Sequence, residues 1–116
     1  MRLPFLQMLF LFTILPGMRA QDYTFVINDG AVMITQYTGP GGSVVIPDSI
    51  GGLPVTGIGD YAFENRTSLA YVILGNRVTS IGEGAFCFCT NLNSVTTPDT
   101  LTSIGAAAFS FCTSLT

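Results

Sequence analysis

The stretch VTSIGEGAFCFCTNL, residues 78–92, is the middle one of three segments that align with one another without gaps. The first is VTGIGDYAFENRTSL at residues 55–69, and the third is LTSIGAAAFSFCTSL at residues 101–115. Seven of the fifteen positions are identical in all three, and each segment begins 23 residues after the one before it. A constant period of this length is typical of a solenoid, in which each repeat forms one coil and neighbouring coils stack.

Within one coil, the pattern predicts two short strands and one helical turn. LAYVIL (69–74) and LNSVTT (92–97) alternate in the way a strand does, and VTSIG (78–82) is a β-branched run that favours a second strand. The segments DYAFEN, EGAFCF and AAAFSF are rich in Ala and Phe and favour a single helical turn each. We therefore expect a mixed α/β repeat solenoid with short parallel strands, in which the following side chains point inward: Leu69, Val72, Leu74, Leu92 and Val95.

The residues before the repeat predict a β-hairpin. YTFVIN and AVMITQY flank Asp29-Gly30, a pair that supplies the positive φ angles of a tight turn. We interpret residues 21–46 as an N-terminal cap, because the first coil of a solenoid has an apolar face that must be covered. Residues 47–116 are then expected to form about three repeat units, truncated at the C-terminus, with an uncapped last coil open to self-association.

The first twenty residues have the pattern of a secretory signal peptide. Arg2 is followed by an apolar run from Leu3 to Leu15, and Ala20 is a suitable last residue before cleavage. A membrane span needs about 20 apolar residues, and this run is shorter than that. We therefore predict a signal peptide at residues 1–20, an uncleaved anchor being the alternative, and a secreted or cell-surface protein without a transmembrane span.

Composition excludes several classes of function. The chain contains no histidine and no lysine, so the usual general base, the commonest metal ligand and the phosphate-binding lysine are all missing. Residues 21–116 carry two arginines against seven acids, a net charge of −5, which disfavours nucleic acid as a partner. We accordingly predict no enzymatic activity, no catalytic residue, no cofactor and no metal site.

Cysteine and glycine recur at fixed positions of the coil. Cys89 and Cys112 are 23 residues apart, which favours a packing role over a metal or redox site, with a disulfide between them as an alternative. Cys87 takes a position that Glu64 and Ser110 occupy in the other coils, so we expect its thiol to be exposed. The glycines are expected at corners that need a free φ angle: Gly59, Gly82 and Gly105.

A row of turn residues follows the first strand of each coil, and it has two interpretations. Asp48, Asn76 and Asp99 take corresponding places in the repeat. Asx residues commonly form turns by hydrogen-bonding nearby backbone groups. Carboxylate oxygens are also ligands for calcium, so a calcium ladder is the alternative.

The repeated segments, together with Ile46-Pro47 and GLPVTGIGDYAF at residues 52–63, resemble the BspA-like bacterial leucine-rich repeats over residues 44–116. That family has a 23-residue unit with an I-G-x-x-A-F-x-x-C-x-x-L core. The resemblance implies a curved solenoid whose short parallel strands line the concave face. It also implies a secreted or surface protein, since some members act as adhesins or bind host proteins. Arg66 departs from the pattern, because it stands where the family has cysteine.

We therefore expect a non-enzymatic module that binds an unknown macromolecule, most simply a protein. The alternative is a structural spacer, or a fragment of a larger exported protein, with no binding role of its own. Aromatic residues dominate binding hot spots, which makes Tyr71 the best single anchor. The predicted binding face consists of the outward residues of the first strand in two coils: Ala70, Tyr71, Ile73, Asn93, Ser94 and Thr96.

Overall fold

The computed structural model describes residues 22–116, so the predicted signal peptide lies outside the described residues. Within this range the chain forms short strands joined by turns, and no helix longer than one turn is present. The strands are β1 (Tyr23–Asn28), β2 (Ala31–Tyr37), β3 (Gly42–Val45), β4 (Ser49–Ile50), β5 (Leu53–Ile58), β6 (Leu69–Ile73), β7 (Ser80–Ile81), β8 (Ser94–Thr96) and β9 (Ser103–Ile104).

The strands form two sheets that run along the stack of coils. One sheet has the order β1-β2-β5-β7-β9, with β4 paired to β5, and the other has the order β3-β6-β8. Apart from the antiparallel pairs β1–β2 and β4–β5, the neighbours are parallel. In the first sheet, Ile58 pairs with Ile81 and Ile81 with Ile104, so equivalent residues of successive coils lie side by side. The repeat solenoid predicted from the sequence is confirmed.

The predicted hairpin is present, and its second strand belongs to the stack. Asp29 and Gly30 have φ angles of 51° and 77°, and they join β1 to β2. The Tyr37 amide donates to the Ala62 carbonyl at 2.8 Å, as the Phe63 amide does to Ala85 at 2.7 Å. The chain from β2 to Ile46 therefore makes a coil that the repeat does not reveal in the sequence. The division of the chain at residue 46 stays a prediction, and hydrogen bonds run across it.

The helical turns predicted for DYAFEN, EGAFCF and AAAFSF are wrong, and with them the mixed α/β class. Each segment is instead a chain of tight turns, as in the bonds from the Ala62 amide to Gly59 and from the Arg66 amide to Phe63. Two positions of every coil have a positive φ angle, which an α-helix does not allow. The six residues at these positions are Tyr61, Gly84 and Ala107, and then Asn65, Phe88 and Phe111.

Three recurring glycines are needed for close backbone approach, and the prediction that they need a free φ angle is wrong. Gly59, Gly82 and Gly105 are absent from the residues with positive φ. A Cβ atom on Gly82 would lie 2.7 Å from the Asp60 nitrogen, and one on Gly105 would lie 2.5 Å from the Glu83 nitrogen. Such distances are too short for a real side chain, so glycine is required where one coil's backbone crosses the next.

An aromatic column fills the core along the stack. The ring of Tyr37 stacks on Phe63 and that of Phe63 on Phe86, each at a centroid distance of 4.9 Å. Phe86 in turn stacks on Phe109 at 5.3 Å. The predicted inward residues Leu69, Val72, Leu74 and Leu92 are buried beside this column, and Val95 is half-buried.

The cysteine position forms a second column, in which thiols hydrogen-bond to backbone. The Cys89 thiol donates to the Phe63 carbonyl at 3.1 Å, and the Cys112 thiol donates to the Phe86 carbonyl at 3.0 Å. All three thiols are free, as the packing interpretation predicts. Cys87 is only 8% exposed, so the prediction of an exposed thiol there is wrong. Burial raises the pKa of Cys89 to about 11 and also raises the pKa of Cys112.

Arg66 occupies the cysteine position of the first full coil and leaves the column incomplete. Its Nε atom is buried and has no hydrogen-bond partner. Because Tyr37 precedes Phe63 in the aromatic column, the Tyr37 carbonyl is the acceptor that a thiol at position 66 would reach. A buried polar atom without a partner costs free energy, so this position destabilises the fold.

We expect Arg66→Cys to raise the free energy of unfolding by about 1 kcal/mol, since it removes the unpaired Nε atom and adds one hydrogen bond. Urea unfolding in the presence of reductant measures the change and prevents a new disulfide. Arg66→Ala is the control, because it removes the Nε atom without supplying a thiol. A Cys variant no more stable than the Ala variant would contradict the role given to the thiol column.

Stability should fall at alkaline pH as Cys89 ionises. The folded state raises its pKa from 9.0 to about 11, so it favours the uncharged thiol. This contribution is therefore fully present below pH 9 and is lost as the pH rises through about 11. Across that window, urea midpoints of the parent should fall more steeply than those of Cys89→Ala. Parallel curves would contradict the burial of an uncharged thiol.

Candidate functional site

The strands β3, β6 and β8 carry one continuous row of outward side chains, which we call the strand face. Pairing places Ser43 beside Tyr71 and Tyr71 beside Ser94. The next outward column is Val45, Ile73 and Thr96 in the same register. Val45, Tyr71 and Ile73 each expose 45–48% of their surface. The strand face is therefore an apolar centre with hydroxyl groups at its edge.

The structure brings most of the predicted binding residues together on this face. Tyr71 and Ile73 lie on β6, and Ser94 and Thr96 lie on β8, all of them exposed. The predicted face also includes Ala70, which is half-buried, and Asn93, which is exposed just before β8. Their role in binding stays a prediction.

Sequence reasoning missed the contribution of β3. Ser43 and Val45 lie outside the residues that obey the repeat, so they were assigned to the cap. A signal was present, because SVVIP at residues 43–47 aligns with YVILG at residues 71–75, an outward residue at the first and third positions and an inward one at the second and fourth. This alignment would have extended the face by one strand.

The strand face is electrically neutral. None of its outward residues in β3, β6 and β8 is charged. The turns carry the charge instead, as around Tyr61, whose hydroxyl donates to Glu83 at 3.2 Å. The neighbouring carboxylates, Glu83 above all, raise the pKa of Tyr61. Contacts made by the strand face should consequently depend little on salt.

The polar groups considered as chemical sites have structural partners. The Asp48 carboxylate accepts the Asn76 amide at 2.7 Å, which favours the turn-forming interpretation over a calcium ladder. Thiols of Cys89 and Cys112 bind backbone carbonyls. Within residues 22–116, no three potential metal-ligating side chains lie close enough together to hold an ion. The described part of the chain likewise has no apolar helix of membrane-spanning length.

Solved structures of bacterial leucine-rich repeat proteins are similar to this one. A leucine-rich repeat protein of T. pallidum has a TM-score of 0.82 and 37% identity, covering 85% of this chain and 47% of its own. A leucine-rich cell surface protein of Faecalibacterium prausnitzii A2-165 has a TM-score of 0.72 and 39% identity, covering 82% and 28%. A leucine-rich repeat protein of Bacteroides capillosus has a TM-score of 0.70 and 31% identity, covering 83% and 72%. The chain thus spans about half the length of the first protein and about a quarter of the second.

No curated protein matches the chain. A family model does match, however, over residues 43–116. It describes the BspA type leucine-rich repeat region, and the matched residues include the strands β5 to β9 and nearly all of β3. The sequence period, the stacked coils and this match agree, and the chain belongs to the BspA type leucine-rich repeat family.

Proposed function

We propose that this chain is a secreted or cell-surface binding module, without enzymatic activity, that recognises a protein partner through the strand face. The observation that carries the proposal is the exposed apolar group of Val45, Tyr71 and Ile73 on adjacent strands. Buried aromatic anchors surrounded by polar side chains are typical of the centre of protein interfaces. Ser43, Ser94 and Thr96 would provide the polar surroundings.

An extracellular location is part of this proposal. The sequence of residues 1–20 has the pattern of an export signal. A similar structure is that of a cell surface protein of Faecalibacterium prausnitzii. Free thiols held by hydrogen bonds in the core, rather than in disulfides, allow the same fold to form in either redox environment.

The size of the strand face sets the expected strength of binding. Neighbouring strands lie about 4.8 Å apart, so three of them span only about 10 Å. A stable protein interface buries about 800 Å² on each partner, which is more than this face provides. We therefore expect the strand face alone to bind weakly, and we expect Tyr71 to account for much of the affinity.

Tyr71→Ala should weaken binding about tenfold, because it removes the aromatic anchor. Ser94→Arg should weaken it as well, since it places a large charged side chain on a neutral face. Surface plasmon resonance against a panel of extracellular host and matrix proteins supplies the binding partner and the affinities. Ser103→Arg is the matched control, because Ser103 is exposed on the other sheet.

The strand face is the wrong surface if both variants bind their partner as tightly as the parent does. If the parent binds no protein of the panel while it remains folded, the structural-spacer alternative is favoured. An affinity that changes little as salt is raised agrees with a neutral face, and a steep decrease disagrees with it.

A further inference from the structure

Phe88 and Phe111 form an exposed aromatic pair on the turn side of the coils. Their rings are parallel within 2°, and their centroids are 4.6 Å apart. Phe88 exposes 40% of its surface and Phe111 exposes 63%. They lie outside the core column, which runs through Phe86 and Phe109 instead. This pair is therefore a surface feature that core packing does not account for.

The backbone at this position does not favour phenylalanine. Phe88 and Phe111 have φ angles of 62° and 60°, a region that non-glycine residues other than Asn and Asp rarely adopt. In the first full coil the same position is Asn65, with a φ angle of 62°. Asparagine therefore serves the turn at least as well, and the fold gains nothing at this position from two exposed aromatic rings except their mutual stacking.

Acidic residues surround a third exposed aromatic side chain on the same turns. Tyr61 exposes 43% of its surface, and its hydroxyl donates to Glu83. Glu64 and Asp60 also lie close enough to act on its ionisation. The turn segments 60–65, 83–88 and 106–111 contain no lysine or arginine.

The acidic and aromatic groups lie within reach of one ligand. The Asn65 amide donates to the Cys87 carbonyl, and the Phe88 amide donates to the Ser110 carbonyl, both at 2.9 Å. The three turn segments are thus stacked one on the next, about 4.8 Å apart. Glu64 lies one coil from Phe88 and two coils from Phe111. A peptide of a few residues in extended conformation can span this distance.

We propose that this turn side, which we call the aromatic edge, binds an extended segment of a partner protein that carries both basic and apolar side chains. The aromatic edge consists of Tyr61, Phe88 and Phe111 with the carboxylates of Asp60, Glu64 and Glu83. Apolar side chains of the partner would pack on the Phe pair, while its arginine or lysine side chains would face the carboxylates. This surface is separate from the strand face, and its residues belong to other segments of the coil.

Charge and area both favour a basic segment over a second copy of the chain. A second copy would bring its own carboxylates against those of the first, and like charges in an interface oppose association. The three aromatic side chains together expose about 300 Å², taking about 200 Å² for a whole ring. Two such surfaces would bury roughly 600 Å², half of what a stable interface needs. An anionic membrane would be repelled for the same reason as a second copy.

The test is a titration of the full chain with three labelled nonapeptides, followed by fluorescence anisotropy. The first alternates arginine and leucine, the second alternates glutamate and leucine, and the third alternates arginine and serine. Only the first should bind well, because it supplies both charge and apolar contact. Its affinity should fall steeply as salt is raised. Equal binding of the glutamate peptide or of the serine peptide would overturn the proposal.

Phe88→Asn together with Phe111→Asn should weaken binding of the arginine–leucine peptide about tenfold or more. Both substitutions introduce the residue that the first coil already has at this position, so the melting temperature should change little. Tyr71→Ala on the strand face is the matched control and should leave peptide affinity unchanged. Unchanged affinity in the double variant would overturn the proposal.

Glu64→Lys keeps the proposal testable if the double variant does not fold. Among the hydrogen bonds of the described residues, none involves the Glu64 side chain, so the substitution should leave the fold intact. It should reduce peptide affinity several-fold through charge alone. The proposal is overturned if Glu64→Lys binds the peptide as tightly as the parent does. It is also overturned if the Phe pair instead mediates dimerisation in sedimentation experiments or binding to lipid vesicles.

Discussion

The hydrogen bond from the Phe63 amide to the Ala85 carbonyl, 2.7 Å long, and its equivalent from Phe86 to Ala108 fix how one coil lies on the next. Each coil must present the same backbone groups at the same height, so every coil needs the same number of residues between them. The 23-residue period follows from this constraint. Glycine at positions 82 and 105 follows as well, because a Cβ atom there would meet the neighbouring backbone. The stacked aromatic rings and the thiol column fill the space that the constraint leaves.

How much of this could be predicted from the sequence depends on whether a residue type is tied to its position by packing. Ile81, Phe86 and Leu92 recur because they are buried in every coil, and their spacing predicted the solenoid. The turn conformation could not be predicted, because φ is positive at Phe88 and Phe111, where the residue type gives no sign of it. The coil that contains Tyr37 was also missed, since it shares hydrogen bonds with the repeat without sharing its sequence. Only the spacing of SVVIP would have indicated it.

The outward side chains are free of this constraint, and they differ from coil to coil. On one side they give the neutral strand face around Tyr71, and on the turn side they give acidic groups and the exposed pair Phe88 and Phe111. The outward positions of the strand face were predictable in β6 and β8, because alternation in a strand marks which residues point away from the core. The aromatic edge was not, because the turns have no such periodicity. A regular core with variable outward residues is the general arrangement by which repeat proteins acquire different partners.

Amide hydrogen exchange followed by NMR tests the stacking of the coils most directly. The account predicts strong protection of the Tyr37, Phe63 and Phe86 amides, each of which donates to the next coil. It also predicts protection of the Gly59, Gly82 and Gly105 amides, which donate to the preceding coil. Fast exchange at Tyr37 and Gly59, with protection confined to the later coils, would show that β2 is not part of the stack. Protection without the 23-residue period would contradict the solenoid itself.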